Sequence, residues 1–73
     1  MKTTIKLYIG TRGTSLSKIV KKIESLGFKS ALGDYDFEYP WDHNPSKEEV
    51  FALGNKIIWA LAESDSTFRM VTK

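Results

Sequence analysis

The spacing of the hydrophobic residues in this chain switches repeatedly between the period of a strand and the period of a helix. Ile5, Leu7 and Ile9 alternate with polar residues, which is typical of a strand with one buried face. From Leu16 onward the apolar residues recur every three or four positions, which is typical of a helix. A chain of 73 residues with this pattern predicts one small domain, residues 1–73, of mixed α and β structure.

The first helix is predicted by its apolar stripe and by the residues at its two ends. Thr14 or Ser15 can cap its beginning, because a hydroxyl oxygen can accept a hydrogen bond from a free amide of the first turn. Gly27 can end it, because glycine readily takes the left-handed conformation that follows a last helical turn. The stripe consists of Leu16, Ile19, Val20, Ile23 and Leu26.

Residues 28–40 admit two interpretations, a hairpin and one long strand. Gly33-Asp34 offers a two-residue turn with glycine first, as a type II′ turn prefers. A turn there places the apolar side chains on one face, so we favour the hairpin and keep the single strand as the alternative. Its register pairs Lys29 with Glu38, Ser30 with Phe37, Ala31 with Asp36 and Leu32 with Tyr35. The aromatic residues expected to be buried are Tyr35, Phe37 and Tyr39.

A second helix and a last strand complete the chain. Ser46 and Glu49 have the spacing of a capping box, in which each side chain bonds the backbone amide of the other residue. The helix is expected to end near Glu63, and residues 67–72 then alternate like a strand with Phe68 inward. The buried stripe of this helix is predicted to be Val50, Leu53, Ile57 and Leu61, with Phe51 and Ile58 beside it.

The predicted element order is therefore β-α-β-β-α-β. Each strand has one apolar and one polar parity, so both helices should cover the same face of an antiparallel sheet. This describes an α+β sandwich of the ferredoxin-like type. If residues 28–40 formed one strand, the fold would be a three-stranded β-α-β-α-β arrangement.

Composition excludes several classes of function. The chain has no cysteine, which excludes disulfides, cysteine-based zinc sites and thiol catalysis and favours a reducing, cytoplasmic setting. No apolar run approaches the length of about 20 residues that spans a bilayer, and the N-terminal residues lack the apolar core of a signal peptide. We therefore expect a cytoplasmic protein without membrane partners.

The titratable residues do not form a recognisable catalytic or metal-binding set. The single histidine, His43, lies in an acidic loop without an evident nucleophile, and is interpreted as an exposed loop residue. Asp34, Asp36 and Glu38 share one parity of a strand, where neighbours are about 6.5–7 Å apart, too far to surround one ion. We expect no enzyme activity, no metal site and no cofactor.

The loop at residues 10–15 is a candidate site for an anion or phosphate. It leaves a strand and begins a helix, where free amides and the helix dipole favour negative charge, and its arginine could bind a phosphate through two hydrogen bonds. The same residue types also serve an ordinary turn and helix cap. The candidate residues are Gly10, Thr11, Arg12, Gly13, Thr14 and Ser15.

The segment Lys6-Leu7-Tyr8-Ile9-Gly10 resembles the first signature of the RNA recognition motif. In that family an aromatic residue at the position of Tyr8 stacks on a base of single-stranded RNA. Tyr8 is the one position that carries over, because the aromatic residues of the third predicted strand are expected to be buried. The open sheet face would then show Asp36 and Glu38 beside Tyr8. Lys6 and the basic first helix, with Lys18, Lys21 and Lys22, would attract the phosphate backbone.

Trp59 is the most unusual position of the second helix, because it lies almost opposite the predicted buried stripe. A tryptophan on the outer face of an amphipathic helix indicates a surface that something covers. The cover is either the loop that carries Trp41, folded back within the same chain, or another protein. The surface consists of Trp59, Ala52, Asn55 and Ala62.

Two functional hypotheses follow. The first is a small interaction module that binds a protein partner or a second copy of itself through the helix surface around Trp59. The second is a module that binds a phosphate-bearing ligand or RNA through residues 10–15, Tyr8 and the basic first helix.

Overall fold

The computed structural model describes residues 1–10, 15–31 and 33–73. Predictions that concern residues 11–14 and Leu32 lie outside these ranges. The described elements are β1 (Lys2–Tyr8), α1 (Leu16–Ser25), β2 (Lys29–Ser30), β3 (Phe37–Pro40), α2 (Lys47–Ala60) and β4 (Thr67–Thr72).

The strands form one antiparallel sheet in the order β2-β3-β1-β4. β1 is central and pairs with β3 on one side and with β4 on the other. Helices α1 and α2 bury their apolar residues against one face of this sheet. The expectation of an α+β domain with a four-stranded antiparallel sheet and two helices is confirmed.

β2 and β3 pair as the two arms of the hairpin, and the single-strand alternative is wrong. β2 and β3 pair Lys29 with Glu38 and Ser30 with Phe37, as the opposite charges predict. The Ala31 amide continues this register with a 3.0 Å hydrogen bond to the Asp36 carbonyl oxygen. Gly33, the first residue of the predicted turn, has a φ of 108°, which glycine adopts without strain.

The ladder between β1 and β3 is interrupted at Asp36. This corrects the expectations that Tyr35 is buried in the core and that Asp36 lies beside Tyr8 on the open sheet face. The Asp36 amide donates to the Ile5 carbonyl oxygen at 2.9 Å, although Ile5 is already paired with Phe37. Two successive residues that oppose one partner form a bulge, which shifts the side chains beyond it to the other face. Tyr35 is therefore half-buried beside the polar sheet face instead of in the core. The Asp36 carboxylate accepts a hydrogen bond of 2.8 Å from the Leu7 amide.

The core lies between the sheet and the two helices. Its fully enclosed apolar members are Ile5 from the sheet, Ile19 and Ile23 from α1, and Ile57 from α2. Burying a side chain of this size contributes roughly 1.5–3 kcal/mol, so these residues provide much of the stability of a chain this short. Phe28, Phe37, Leu53, Ala60 and Leu61 complete the buried cluster.

The two helices differ at their N-termini. Ser46 and Glu49 form the predicted capping box at the beginning of α2, with hydrogen bonds of 3.0 and 3.1 Å. Ser15 occupies the corresponding position of α1, but its side chain makes no capping hydrogen bond. At the other end of α1 Gly27 has a φ of 105°, which confirms the left-handed termination. α2 ends at Ala60, three residues earlier than predicted.

Candidate functional site

The outer face of α2 exposes three large hydrophobic side chains. Trp59 is 81% exposed, Phe51 65% and Ile58 56%. Two of the three lie two helical turns apart, and all three point away from the buried residues Leu53 and Ile57. We define the outer face of α2 as the exposed residues Phe51, Ala52, Asn55, Ile58, Trp59 and Ala62.

The arrangement follows from helix geometry. A helix advances about 100° per residue, so positions separated by seven or eight residues return to the same side. α2 carries one apolar stripe that faces the sheet and a second apolar set, including Phe51 and Ile58, that does not. A surface helix of a lone small domain normally places charged and polar residues there. α2 is therefore apolar on more than one side.

Trp41 does not cover Trp59, so the explanation by a folded-back loop is wrong. The Trp41 ring packs edge-on against Tyr39, with ring centroids 4.8 Å apart. Its indole nitrogen donates to the Thr3 hydroxyl oxygen at 2.8 Å. These contacts hold Trp41 on the side of α2 that faces the sheet, away from Trp59.

Thr3 explains why the Trp41 loop is fixed. Its side chain is fully buried, and its hydroxyl lies 2.7 Å from the hydroxyl of Thr72 in β4. A buried hydroxyl without a partner would cost roughly 1–3 kcal/mol. Trp41 and Thr72 together supply that partnership, which connects the loop to two neighbouring strands.

His43 is an exposed loop residue, as expected, but it is oriented by two carboxylates. Its Nδ1 lies 2.6 Å from Asp42 Oδ1, and its Nε2 lies 2.7 Å from Glu49 Oε2. The hydrogen bonds to Asp42 and Glu49 raise the pKa of His43 above its ordinary value. The ring therefore links the loop to Glu49 of the capping box of α2.

In the described residues no group of three or more His, Cys, Asp or Glu side chains is arranged to hold a metal ion. His43 with Asp42 and Glu49 also has no hydroxyl or thiol nucleophile in hydrogen-bond contact with the ring.

The polar face of the sheet forms a shallow depression of about 280 Å³. Tyr8 at its side is 50% exposed, and the shifted Tyr35 also contributes to the lining. Lys6 and Arg69 border the two rings, and the acidic residue Asp34 lines the same depression. Asp36 was expected beside Tyr8, but its carboxylate is bound to the Leu7 amide. This face is therefore more aromatic than the sequence indicated.

Glu38, the other acidic residue expected on this face, is paired with a lysine. Lys2 Nζ lies 3.1 Å from Glu38 Oε2 and 3.4 Å from the Tyr35 hydroxyl. The hydrogen bond to Glu38, followed by that to Tyr35, raises the pKa of Lys2 above its ordinary value. The pairing offsets the negative charge of Glu38 next to the two tyrosines.

The candidate anion site at residues 10–15 is described only at its two ends. The Gly10 amide donates to the Ser66 hydroxyl oxygen at 3.2 Å, and Ser15 is exposed. The Asp65 carboxylate occupies the space that a side chain at position 10 would need. A carboxylate this close opposes an anion at the Gly10 end. Thr11, Arg12, Gly13 and Thr14 lie outside the described residues.

Lys18, Lys21 and Lys22 are all exposed on α1. They form the basic exterior predicted for that helix. They do not form one surface with Lys6, because α1 covers the sheet face opposite the one that carries Lys6 and Tyr8.

Sequence reasoning placed Phe51 and Ile58 beside the buried stripe and did not include them in the candidate surface. A signal for them existed, because Phe51, Ile58 and Ala62 repeat at intervals of seven and four residues and so form a second helical stripe. Tyr35 was missed for another reason: the bulge at Asp36 arises from pairing between strands, which a local pattern does not encode.

Comparison with known proteins adds no functional assignment. No protein-family model, no curated protein and no solved structure matches this chain. Among the described residues, none of the helices combines the length and the apolar character needed to span a bilayer.

Proposed function

We propose that this chain is a small protein-interaction module whose contact surface is the outer face of α2. The observation that carries the proposal is Trp59, 81% exposed on a helix whose opposite side is fully packed. Tryptophan is among the residues that contribute most to binding energy at protein interfaces. The partner is another protein or a second copy of this chain.

We further propose that the frame is of the ferredoxin-like type. The element order β-α-β-β-α-β and the sheet order β2-β3-β1-β4 support this assignment. Such a frame places both helices on one side of the sheet and leaves their outer faces open to partners. The absence of cysteine supports a cytoplasmic location.

The surroundings of Trp59 support a contact surface over an incidental exposure. Asn55 and Ala62, one turn before and one turn after Trp59, are neutral and small, so a partner can approach the ring closely on that side. Lys56 and Glu63 flank its other side, like the charged rim of an interface. The outer side of α1 carries exposed lysines and lacks this composition.

The test is site-specific photo-crosslinking in the cell from which the chain comes. A photoreactive residue at position 59 is compared with the same residue at position 18 on the basic side of α1. We expect a discrete adduct from position 59 and none from position 18. The mass of the adduct distinguishes a second copy from another protein.

A second substitution makes the outcome specific. Ala52→Arg adds a long charged side chain beside Trp59 without entering the core, since position 52 is exposed. It should abolish the adduct formed from position 59. Equal adducts from positions 18 and 59, or an adduct that persists in Ala52→Arg, would contradict the proposal.

A second candidate function is RNA binding on the polar sheet face. The observation that favours it is the pair Tyr8 and Tyr35 bordered by Lys6 and Arg69. Aromatic rings on a sheet can stack on bases while cations hold the phosphates. This arrangement deepens the resemblance at Tyr8, and it does not require the loop at residues 11–14.

The RNA hypothesis is tested by fluorescence anisotropy with a short single-stranded oligonucleotide at several salt concentrations. Loss of one stacked base corresponds to about 1–3 kcal/mol, so Tyr8→Ala should weaken binding by roughly 5- to 150-fold. Tyr8→Phe keeps the ring and should bind like the wild type. Equal affinities for Tyr8→Ala and Tyr8→Phe would exclude stacking at this position.

A further inference from the structure

The sheet is open along the outer side of β4. β4 is the terminal strand of the sheet, and within the described ranges no strand pairs with its outer side. Lys2 and Lys73 exchange two backbone hydrogen bonds of 2.8 and 2.9 Å. Bonded and non-bonded pairs alternate along an antiparallel ladder, so the backbone groups of Phe68, Met70 and Thr72 point away from β1.

This edge lacks the features that usually prevent strands from pairing with other chains. β4 is six residues long, contains no proline and carries Arg69 as its single charged residue. The opposite edge of the sheet is β2, which has only two residues, one of them a lysine. Short length and proline are common protections of an edge strand, and β4 has neither; its charges are Arg69 within the strand and Lys73 directly after it.

One flank of α2 extends this open edge into the helix layer. A side chain at Gly54 would lie 3.3 Å from the terminal methyl carbon of Met70, so the middle of α2 lies above the middle of β4. Ile58 and Ala62 share a cleft of about 340 Å³ with Phe68. We define the edge wall as β4 together with Phe51 and Ile58.

We propose that the edge wall binds a second copy of this chain. The two β4 strands pair in an antiparallel manner about a two-fold axis through Met70, and the two sheets become one continuous sheet with the α2 helices side by side. The inference rests on the proposed function, because it assigns the partner of one side of the outer face of α2.

The sequence of β4 selects the register of this pairing. With the axis at Met70, Met70 pairs with its own copy and Phe68 pairs with Thr72 of the second copy, which gives about six new backbone hydrogen bonds. Arg69 then faces Val71 of the second copy. Centring the pair on Arg69 would place two arginines directly opposite each other, which is destabilising.

The side chains of α2 lead to the same axis independently. Gly54 marks the level of Met70 on the helix, Phe51 precedes it by three residues and Ile58 follows it by four. A two-fold axis at that level reverses one helix relative to the other and brings Phe51 of one copy opposite Ile58 of the other. These two side chains are each more than half exposed in the single chain.

The two layers of the edge wall match in length. A strand of six residues is about 20 Å long, and α2 with 14 residues is about 21 Å long. The strand and the helix can therefore contact a second copy along their whole length.

The experiment is sedimentation velocity from micromolar to millimolar concentration with two double variants. Phe51→Lys with Ile58→Lys places lysine opposite lysine twice, and should weaken dimerisation by more than about tenfold. Phe51→Lys with Ile58→Glu places lysine opposite glutamate twice across the same axis and should restore the dimer. Both positions are exposed, so each variant should retain the fold of the single chain. Glu24→Lys, on the exposed side of α1, adds the same two positive charges as the double lysine variant. It is the control and should remain dimeric.

Amide hydrogen exchange of the wild type gives a second readout that needs no substitution. The amides of Phe68, Met70 and Thr72 should become protected as the concentration rises, whereas those of Arg69 and Val71 are protected at every concentration by their bonds to β1. A wild type that is monomeric at millimolar concentration, or two double variants with equal affinities, would overturn the inference. A wild type that is monomeric at millimolar concentration while position 59 still gives a discrete adduct with another protein would overturn the inference and leave the proposed function standing.

Discussion

The two halves of the molecule contribute to the same core but present different exteriors. On the side of α1 and β2, lysines cover the helix and the edge strand has two residues. On the side of α2 and β4, Phe51, Ile58 and Trp59 are exposed and the edge strand has six residues. The exterior of the first half is therefore basic, whereas that of the second half exposes large apolar side chains.

The difference shows that exposure in this chain is not a consequence of small size alone. If the core were merely too small to cover its apolar residues, uncovered side chains would be expected on both helices. α1 instead encloses Ile19 and Ile23 and leaves one large apolar residue, Leu16, exposed at its beginning. The exposed apolar side chains are concentrated on α2, next to the edge strand β4.

The largest change in the free energy of unfolding is expected from a comparison of two adjacent isoleucines, one on the inner side of α2 and one on its outer side. Ile57 is fully buried and Ile58 is 56% exposed. Ile57→Ala removes packed volume from the core and should lower the free energy of unfolding by about 3 kcal/mol. Ile58→Ala should change it by less than about 0.5 kcal/mol. Urea denaturation monitored by circular dichroism measures both.

The concentration at which the two variants are compared matters. At micromolar concentration, below the range expected for dimerisation, the free energy of unfolding reports the single chain alone. If Ile58→Ala proved as damaging as Ile57→Ala under those conditions, residue 58 would belong to the core. The contrast between the two sides of α2 would then disappear.

Much of the fold could be predicted from local patterns. The register of β2 and β3 followed from the opposite charges of Lys29 and Glu38 and from the glycine at position 33. The capping box followed from the spacing of Ser46 and Glu49. In each case the information lies within a few residues of the structure that it specifies.

What could not be predicted depends on contacts between distant segments. The bulge at Asp36 requires Ile5 and Leu7 as partners, so the exposure of Tyr35 has no local signature. The position of Trp41 depends on Thr3, a buried hydroxyl almost forty residues earlier in the chain. The exposure of Trp59 was predictable from its helical position, whereas the choice between an internal cover and a partner required the fold.

The caps of the two helices provide a smaller comparison of the same halves. Ser46→Ala removes a side chain that accepts a hydrogen bond from the Glu49 amide at 3.1 Å. It should lower the free energy of unfolding by about 1 kcal/mol. Ser15→Ala removes a hydroxyl that lies near the Ser17 hydroxyl and makes no capping bond. Its effect in the same urea titration should be a few tenths of a kcal/mol at most. Equal losses would show that Ser15 caps α1 in solution.

The smallest effect concerns the pH dependence of the link between His43 and α2. Because Asp42 and Glu49 raise the pKa of His43, the folded protein binds its proton more tightly than the unfolded chain does. The stabilisation is therefore complete below the ordinary histidine pKa of about 6.5 and is lost as the pH rises through the higher folded value. The pKa values of Asp42 and Glu49 are lowered, Asp42 mainly by His43 and Glu49 mainly by the Ser46 amide. Their contribution is lost as the pH falls through those lowered values.

The link should consequently stabilise the fold most at about pH 5–6, between the ordinary carboxyl and imidazole pKa values. His43→Gln should show its largest stability difference from the wild type there and converge with it at alkaline pH. An NMR titration of the imidazole should give a pKa above about 6.5 in the wild type and a lower one in Glu49→Gln. Glutamine can still complete the capping box, so this variant separates the charge of Glu49 from its role at the helix end. A His43 pKa unchanged by Glu49→Gln would mean that the imidazole and Glu49 do not interact in solution, and that Asp42 alone orients the ring.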